Sequence, residues 1–401
     1  MASVQPDLNG NFNYDYSNGQ DVTIEKDIPG TTDMLPVING FDALLTRKVL
    51  INDNGFIPSV FQMIAMDVNM DGVISAGDLS QIDQRAVLMI PEFRQAWNYD
   101  SQGNSNGQAS KDWLFVDMTR LNSNPAYRIS TTYPSDNGIG YSKSRVPVVP
   151  FCLPVPNSNV TDCPLLGTET YKGVLLGDIN GNYATTVPNG MFRTGSSDRI
   201  FVDLSHATIK GGYADVPVSV LSNNDVNSLD LSTKFNEANL TFNSIVDHAA
   251  YMQQLSNFNS SDRTLRFTSS SLQNYEIGQP IMSIRFAVNG DHVDASDLNS
   301  LEGYINGERT AVEVIDTHSS SNTDNLVYVY PNPARDVINV LVSQNATIQL
   351  MGLDGKEVIL KTNTIANEKQ EINTSTISNG VYMMRIYNDN FVATKKIVIQ
   401  N

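Results

Sequence analysis

The chain has 401 residues, a formal net charge of −17 and an apolar share of 40%, enough for several domains and too much for one core. Such acidity repels phosphate backbones and acidic bilayers at long range, which excludes nucleic acid as a partner. No run of about eighteen apolar residues is present to span a membrane as a helix.

The opening residues, Met1 to Pro6, lack the basic and apolar regions of a secretory leader, so the sequence reads as a fragment whose leader lies upstream. Asp7 to Glu25 alternate between Asn-Gly turns and read as the last hairpin of a β-sandwich. Residues 1–30 are therefore expected to be the remnant of an upstream sandwich, resembling the end of carboxypeptidase-regulatory-like repeats.

From Ile38 the texture becomes helical. Phe41, Leu44, Leu45 and Val49 share one helical face, and so do Leu79, Ile82, Ala86, Met89 and Ile90. Each stretch follows a related string, Ile38-Asn39-Gly40-Phe41-Asp42 or Ile74-Ser75-Ala76-Gly77-Asp78, an internal repeat of about 36 residues.

Between the two helices lies Asp67-Val-Asn69-Met-Asp71-Gly72-Val73-Ile74-Ser75-Ala-Gly-Asp78. Oxygen side chains fall at loop positions one, three, five, nine and twelve, with Gly at six for the sharp reversal. Val73 offers its backbone carbonyl, the ligand pattern of a hard cation such as calcium. The expected ligands are Asp67, Asn69, Asp71, Val73, Ser75 and Asp78. The loop resembles dockerin repeats, in which it is followed by a single helix. That resemblance extends to a partner repeat, where Asp33, Asn39 and Asp42 are weaker ligand candidates and Thr31 stands where the first acid is expected. A third oxygen-rich turn, Gly177-Asp178-Ile-Asn180-Gly-Asn182-Tyr183, resembles the closing signature of dockerin-like segments and adds Asp178, Asn180 and Asn182. Asx-rich turns without metal remain the alternative.

A long Asn-, Ser-, Tyr- and Pro-rich stretch from Asn98 to Thr170 is too extended for a simple loop and is expected to wrap the helical pair. It holds the two cysteines, Cys152 and Cys163. Their short separation permits a local disulfide in an oxidising compartment, with two unpaired thiols as the alternative. Residues 31–190 are thus expected to form a dockerin-like domain with a long insertion.

A β-rich unit follows, with Arg199 to Leu204 and Asp215 to Leu221 as strands. Ser296 or Asp297 is expected to cap a helix start. The strings Gly211 to Val220 and Ile281 to Phe286 resemble cohesin-like sandwiches, which places such a domain at 191–318. Neither Trp97 nor Trp113 lies in it, so no tryptophan sugar platform is supported. Residues 319–326 are polar, without an apolar stripe, and read as a linker.

The last segment alternates Ile348 and Leu350, then Tyr382, Met384 and Ile386, to give one buried face. Asp354-Gly355 and Asn379-Gly380 are expected to make turns requiring positive φ. Its strings Val329 to Ala334, Val337 to Val340, Gly352 to Val358, Ile377 to Tyr382 and Lys395 to Ile399 resemble the type A C-terminal sorting domain of the type IX secretion system found in Bacteroidetes. The resemblance covers 327–401. It implies cargo that crosses the periplasm and outer membrane and is secreted or kept at the cell surface. The implied partners are the type IX translocon and its outer-membrane shuttle protein. Recognition is expected at Lys395 and Lys396, with Gly380 and Tyr382 from the preceding motif, although two lysines on an end strand also serve to discourage strand-to-strand aggregation.

The chain is thus expected to be mainly β and multidomain, with β-sandwiches plus a small dockerin-like helical calcium-binding unit. Four histidines without His-Glu-x-x-His spacing, no Gly-x-Ser-x-Gly elbow and no phosphate-binding glycine loop argue against an enzyme. The competing reading is an adhesin module that captures a glycan or a surface protein.

Overall fold

The computed structural model describes residues 28, 30–95, 98–100, 102–118, 171–184, 198–249, 251–290, 292–316, 327–330, 334–342, 344–353, 355–365, 370–389 and 392–400. The expected upstream hairpin, both cysteines, His318, most of the long insertion, the linker and residues 331–333 lie outside the described residues.

Three helices open the described chain: α1 (Gly40–Leu50), α2 (Val60–Met66) and α3 (Ala76–Ala86). Capping boxes start all three, with Asn39 and Asp42 on α1, Ser59 and Gln62 on α2, and Ser75 and Asp78 on α3. Each box satisfies amide donors that a first helical turn leaves unpaired. The two repeat strings thus become equivalent helix starts. Helix α3 ends at Ala86, so Met89 and Ile90, expected on its face, lie beyond it. The left-handed Leu88, at φ 56°, turns the chain away first. Helix α2 is too short at seven residues to show a helical period in the sequence.

The core of this helical unit gathers Leu35, Ile38, Leu45, Ile64, Met66, Ile74 and Ile82 with Leu114, Val116, Val174 and Leu176. The last four come from the strand pair β1 (Trp113–Asp117) and β2 (Tyr171–Leu175) and the residue after it. The β1 segment of the long insertion and the strand β2 that follows the insertion are therefore built into the core. They do not simply wrap it.

The middle unit is a β-sandwich. One sheet runs β7 (Leu240–Asp247), β10 (Pro280–Val288), β5 (Tyr213–Leu221) and β3 (Arg199–Asp203), with β4 (Thr208–Lys210) also on β5. The other runs β11 (Leu298–Ile305), β6 (Ser228–Phe235), β9 (Thr264–Ser270) and β8 (Gln253–Asn259). Strand β12 (Glu308–Ile315) joins them: Glu308 to Thr310 pair with β11, and Ala311 to Ile315 run parallel to β3. The inner faces bury Val216, Val218, Leu229, Leu231, Phe267, Ile284 and Phe286. The expected helix near Ser296 is a three-residue 3-10 turn, Ala295–Asp297, capped by Asp294. It leads at once into β11, whose pairing with β6 outweighs the local cap signal.

In β6 the residues from Ser228 to Thr233 are all buried, as is every residue of β9. Alternation buries only one face of a two-layer sandwich; the second face here lies under the helical unit. Gly40 donates its N–H to Asp230 at 2.8 Å. Arg266 clasps Asp33 at 2.8 and 3.1 Å, Arg47 reaches Ser270 at 2.5 Å, and Asn257 donates to the Val87 carbonyl at 3.1 Å.

The terminal unit packs a three-stranded sheet, β13 (Val327–Tyr330), β14 (Val337–Val342) and β17 (Gln370–Asn373), on a four-stranded one, β16 (Glu357–Thr364), β15 (Ala346–Gly352), β18 (Gly380–Tyr387) and β19 (Val392–Ile399). Its own core includes Ile338, Val340, Ile348, Leu350, Met384, Ile386, Ile397 and Ile399. Gly355 holds φ 77°, as its turn requires. Gly380 does not share that role. It is the first residue of β18, outside the left-handed set, and the Tyr382 ring lies across it, 3.5 Å from where a Cβ would stand.

Candidate functional sites

The Asp67 loop closes on its own side chains. Asp71 and Gly72 donate their N–H groups to the two Asp67 oxygens, at 3.1 and 2.9 Å, and Asp71 N–H also reaches Asn69 Oδ1 at 2.9 Å. Asn69 N–H meets Asp78 Oδ1 at 3.1 Å, while Ser75 N–H meets Asp78 Oδ2 at 2.9 Å. Gly77 N–H then caps on Ser75 Oγ at 3.1 Å. Gly72 stands at φ 84°, the reversal that a side chain resists. Val73 is exposed and Ile74 buried, so alternate residues face the loop and the core as the sequence pattern requires.

The two weaker candidate groups meet in space and form one second loop. Asn182 and Tyr183 donate to the two Asp178 oxygens at 3.0 and 3.1 Å, and Asn182 N–H reaches Asn180 Oδ1 at 3.0 Å. Asn180 N–H meets Asp42 Oδ1 at 3.0 Å. Asn39 N–H meets Asp42 Oδ2 at 3.1 Å, and Phe41 N–H caps on Asn39 Oδ1 at 3.0 Å. Bond for bond this is the Asp67 loop, with Asp178, Asn180 and Asn182 as its front half and Asn39 and Asp42 as its back half. Even the left-handed residue recurs, Met70 at φ 61° in one loop and Gly181 at φ 73° in the other. The first acid that Thr31 fails to supply comes from Asp178, far along the chain. Asp33 does not join this loop; it is held by Arg266.

Both loops place carboxylates against one another in poor solvent. Burial first, then Asp78 and Asp71, push the Asp67 carboxyl up to about 7. Burial also raises Asp78 and Asp178. Asp42 rises well above the carboxylate range through burial and then through Asp178. The leading influences on these four are burial, neighbouring carboxylates and hydrogen-bond donors of the loops themselves. A hard divalent cation fits such an all-oxygen donor set and would neutralise it. Among the described residues no three His, Cys, Asp or Glu side chains suffice to hold an ion. Amide, hydroxyl and carbonyl oxygens would have to complete either shell.

On the terminal sandwich, Lys395 and Lys396 are both exposed on β19. Strand alternation sends them to opposite faces: Lys396 pairs with Met383 on the outer face and Lys395 with Met384 on the core side. Tyr382 packs against the core and donates its hydroxyl to the Ser378 carbonyl at 2.6 Å. Tyr382 and Gly380 therefore brace the start of β18.

A fold of this kind, a small sandwich with its own core at the end of the chain, defines a separable terminal module. Residues 328–400 match the family described as secretion system C-terminal sorting domain. The match marks the chain as type IX secretion cargo that interacts with that machinery, a secreted or cell-surface protein. No curated protein matches the sequence. Among solved structures, one similar to this chain is a non-cellulosomal cohesin from Archaeoglobus fulgidus, 14% identical, covering 29% of this chain and 86% of its own, with a TM-score of 0.22. A type I cohesin–dockerin complex from Clostridium thermocellum is 9% identical over 29% of this chain and 88% of its own, at 0.23. A type II cohesin from the cellulosome of Acetivibrio cellulolyticus is 13% identical over 30% and 92%, at 0.22. These TM-scores are too low to define the fold, which rests on the strand pairing above. Among the described residues, no helix is long and apolar enough to cross a membrane.

Proposed function

We propose that this chain is a non-catalytic region of an exported protein, in which the terminal sandwich is the address and the preceding residues form one calcium-stabilised structural module. The observation that carries the calcium part is the repetition of six hydrogen bonds in two loops, one continuous and one assembled from distant segments. Asp67, Asn69, Asp71, Ser75 and Asp78, with the Val73 carbonyl, would hold one ion. Asp178, Asn180, Asn182 and Asp42 would hold the other, with Asn39 at the position that often reaches the ion through water. When bound, calcium supplies positive charge to carboxylates that burial otherwise leaves opposed.

Calorimetric titration of the full chain with calcium tests this reading. Two bound ions are expected, one of them lost in Asp67→Ala and the other in Asp178→Ala. Unchanged calcium uptake in both variants would sink the metal assignment. The address is tested separately by removing residues 327–401, which is expected to leave the protein in the periplasm of a host with a type IX system. A glycan- or protein-capturing role would have to use another surface than the outer face of β6 and β9, which the chain's own helical unit covers.

A further inference from the structure

The four-stranded sheet of the terminal sandwich has two unlike faces. Ile348, Leu350, Met384, Ile386, Ile397 and Ile399 point into the core. The outer face of its three consecutive strands β15, β18 and β19 is also apolar in its middle: Met351 pairs with Met383, which pairs with Lys396, and Val381 pairs with Val398 on the next rung. Val381 is 36% exposed. Beyond the methionines, the guanidinium of Arg385 lies 4.8 Å from the centre of the Tyr387 ring. An outward face of an antiparallel sheet is ordinarily polar, and flexible methionine side chains are well suited to adaptable protein contacts.

Charge separates this face from the rest of the molecule. Strands β15, β18 and β19 contain no Asp or Glu and carry Arg385, Lys395 and Lys396, within a chain of net charge −17, and the patch is bounded on its other side by Glu357 of β16, which pairs with Met351. Two of those cations, Arg385 and Lys396, flank the Met351–Met383 pair on the outer face. A surface of this composition is complementary to a protein patch with an apolar centre and an acidic rim.

We propose that the export machinery grips the terminal sandwich on this outer face, through Met351, Val381 and Met383 flanked by Arg385 and Lys396, with an acidic-rimmed protein surface as its counterpart. The proposal rests on the reading of this unit as an export address. Lys395, on the core side of the same strand, takes no part in the contact.

The test is export of the full chain in a host with a type IX system, read as protein in the medium or on the surface against protein retained in the periplasm. The double variant Arg385→Glu/Lys396→Glu is expected to lose export about tenfold or more, because like charges then face each other at the contact. Lys395→Glu is expected to export as the parent does. Thermal melting of each purified variant shows whether the sandwich still folds, and Arg385→Gln/Lys396→Gln gives a milder loss should the reversal destabilise it. Normal export of both double variants, with the chain lacking 327–401 retained, would overturn the assigned face and leave the address intact. Equal loss in Lys395→Glu would overturn it as well. Export of the truncated chain would remove the address itself and the face with it. A second copy seated there, seen as a dimer that the double reversal disperses without loss of export, would also overturn the assignment.

Discussion

Asp230 accepts the N–H of Gly40 at 2.8 Å, joining the first residue of α1 to the centre of β6 across 190 positions of sequence. The same oxygen accepts the Thr268 hydroxyl at 2.6 Å, so one carboxylate pins the helix start to two neighbouring strands. The contact is steric as well as polar: a Cβ on Gly40 would overlap the Ser269 carbonyl oxygen and stand 2.9 Å from Asp230 Oδ1.

Gly40→Ala is accordingly expected to push the helical unit off the sheet. Overpacking against a backbone carbonyl costs about 1–3 kcal/mol, and propensity alone would favour alanine in a helix. Denaturant unfolding should therefore show a lower midpoint in the variant; an unchanged or raised midpoint would mean that the close contact does not constrain the fold.

The same interface should make stability fall as pH rises. Burial, and then Asp83 among the neighbouring charges, raise the Asp230 carboxyl to about 7, while burial raises Asp83 to about 6 against the opposing pull of Arg47. A carboxyl whose folded value lies above its unfolded one binds its proton more tightly in the folded state. Its contribution is complete below about pH 4, is lost as pH climbs through 7, and amounts at most to about 4 kcal/mol for Asp230. Asp230→Asn keeps an acceptor oxygen without the charge. Melting temperature should decline less between pH 5 and 8 in the variant than in the parent, measured in chelator so that the calcium-type loops contribute equally to both.

Arg266 is the ionic clasp of the interface. It is 3% exposed and shared between Asp33 and Asp262 at 2.8 and 2.6 Å, whereas both acids keep substantial contact with water. Arg266→Ala leaves no carboxylate stranded in a dry core, so its cost should fall short of that for a fully buried pair, at about 1–3 kcal/mol. A double-mutant cycle with Asp33→Ala should return a coupling between the two units; additivity would deny it.

Calcium removal should loosen the helical unit and leave the terminal sandwich intact, because its core is separate. At free calcium about a hundredfold above the dissociation constant, one site adds about 2.7 kcal/mol. In chelator the helical transition should fall while that of residues 327–401 stays fixed. Gly307, at φ 76°, lies where a Cβ would stand 2.7 Å from Asn180 Nδ2. Gly307→Ala should therefore weaken the split site selectively, seen as loss of one calorimetric phase with the Asp67 phase retained.

Much of the fold was legible because its signals are local. The Asp67 loop carries its candidate ligands within twelve residues, the related strings at Ile38 and Ile74 each precede a helical period, and Ile348, Leu350, Met384 and Ile386 alternate as a buried sheet face must. Where local chemistry was ambiguous, the reading failed. Gly380 follows Asn379 as in many turns, yet begins a strand because β19 pairs with it. Of the two residues expected at the start of a helix, Asp297 accepts the N–H of Asp294, which holds the N-cap position, Ser296 does not, and β11 cuts the turn short.

The sequence by itself determined the mainly β composition, the continuous oxygen-rich loop and the terminal sorting motif, since each is written in neighbouring residues or in strict periodicity. Only the tertiary structure decided that Asp178 completes the loop begun at Asn39, that Asp33 serves Arg266, and that the polar residues of β6 and β9 are buried. Those outcomes depend on which distant surfaces pack together, and periodicity records whether a residue faces away from its own core but not what lies on the other side.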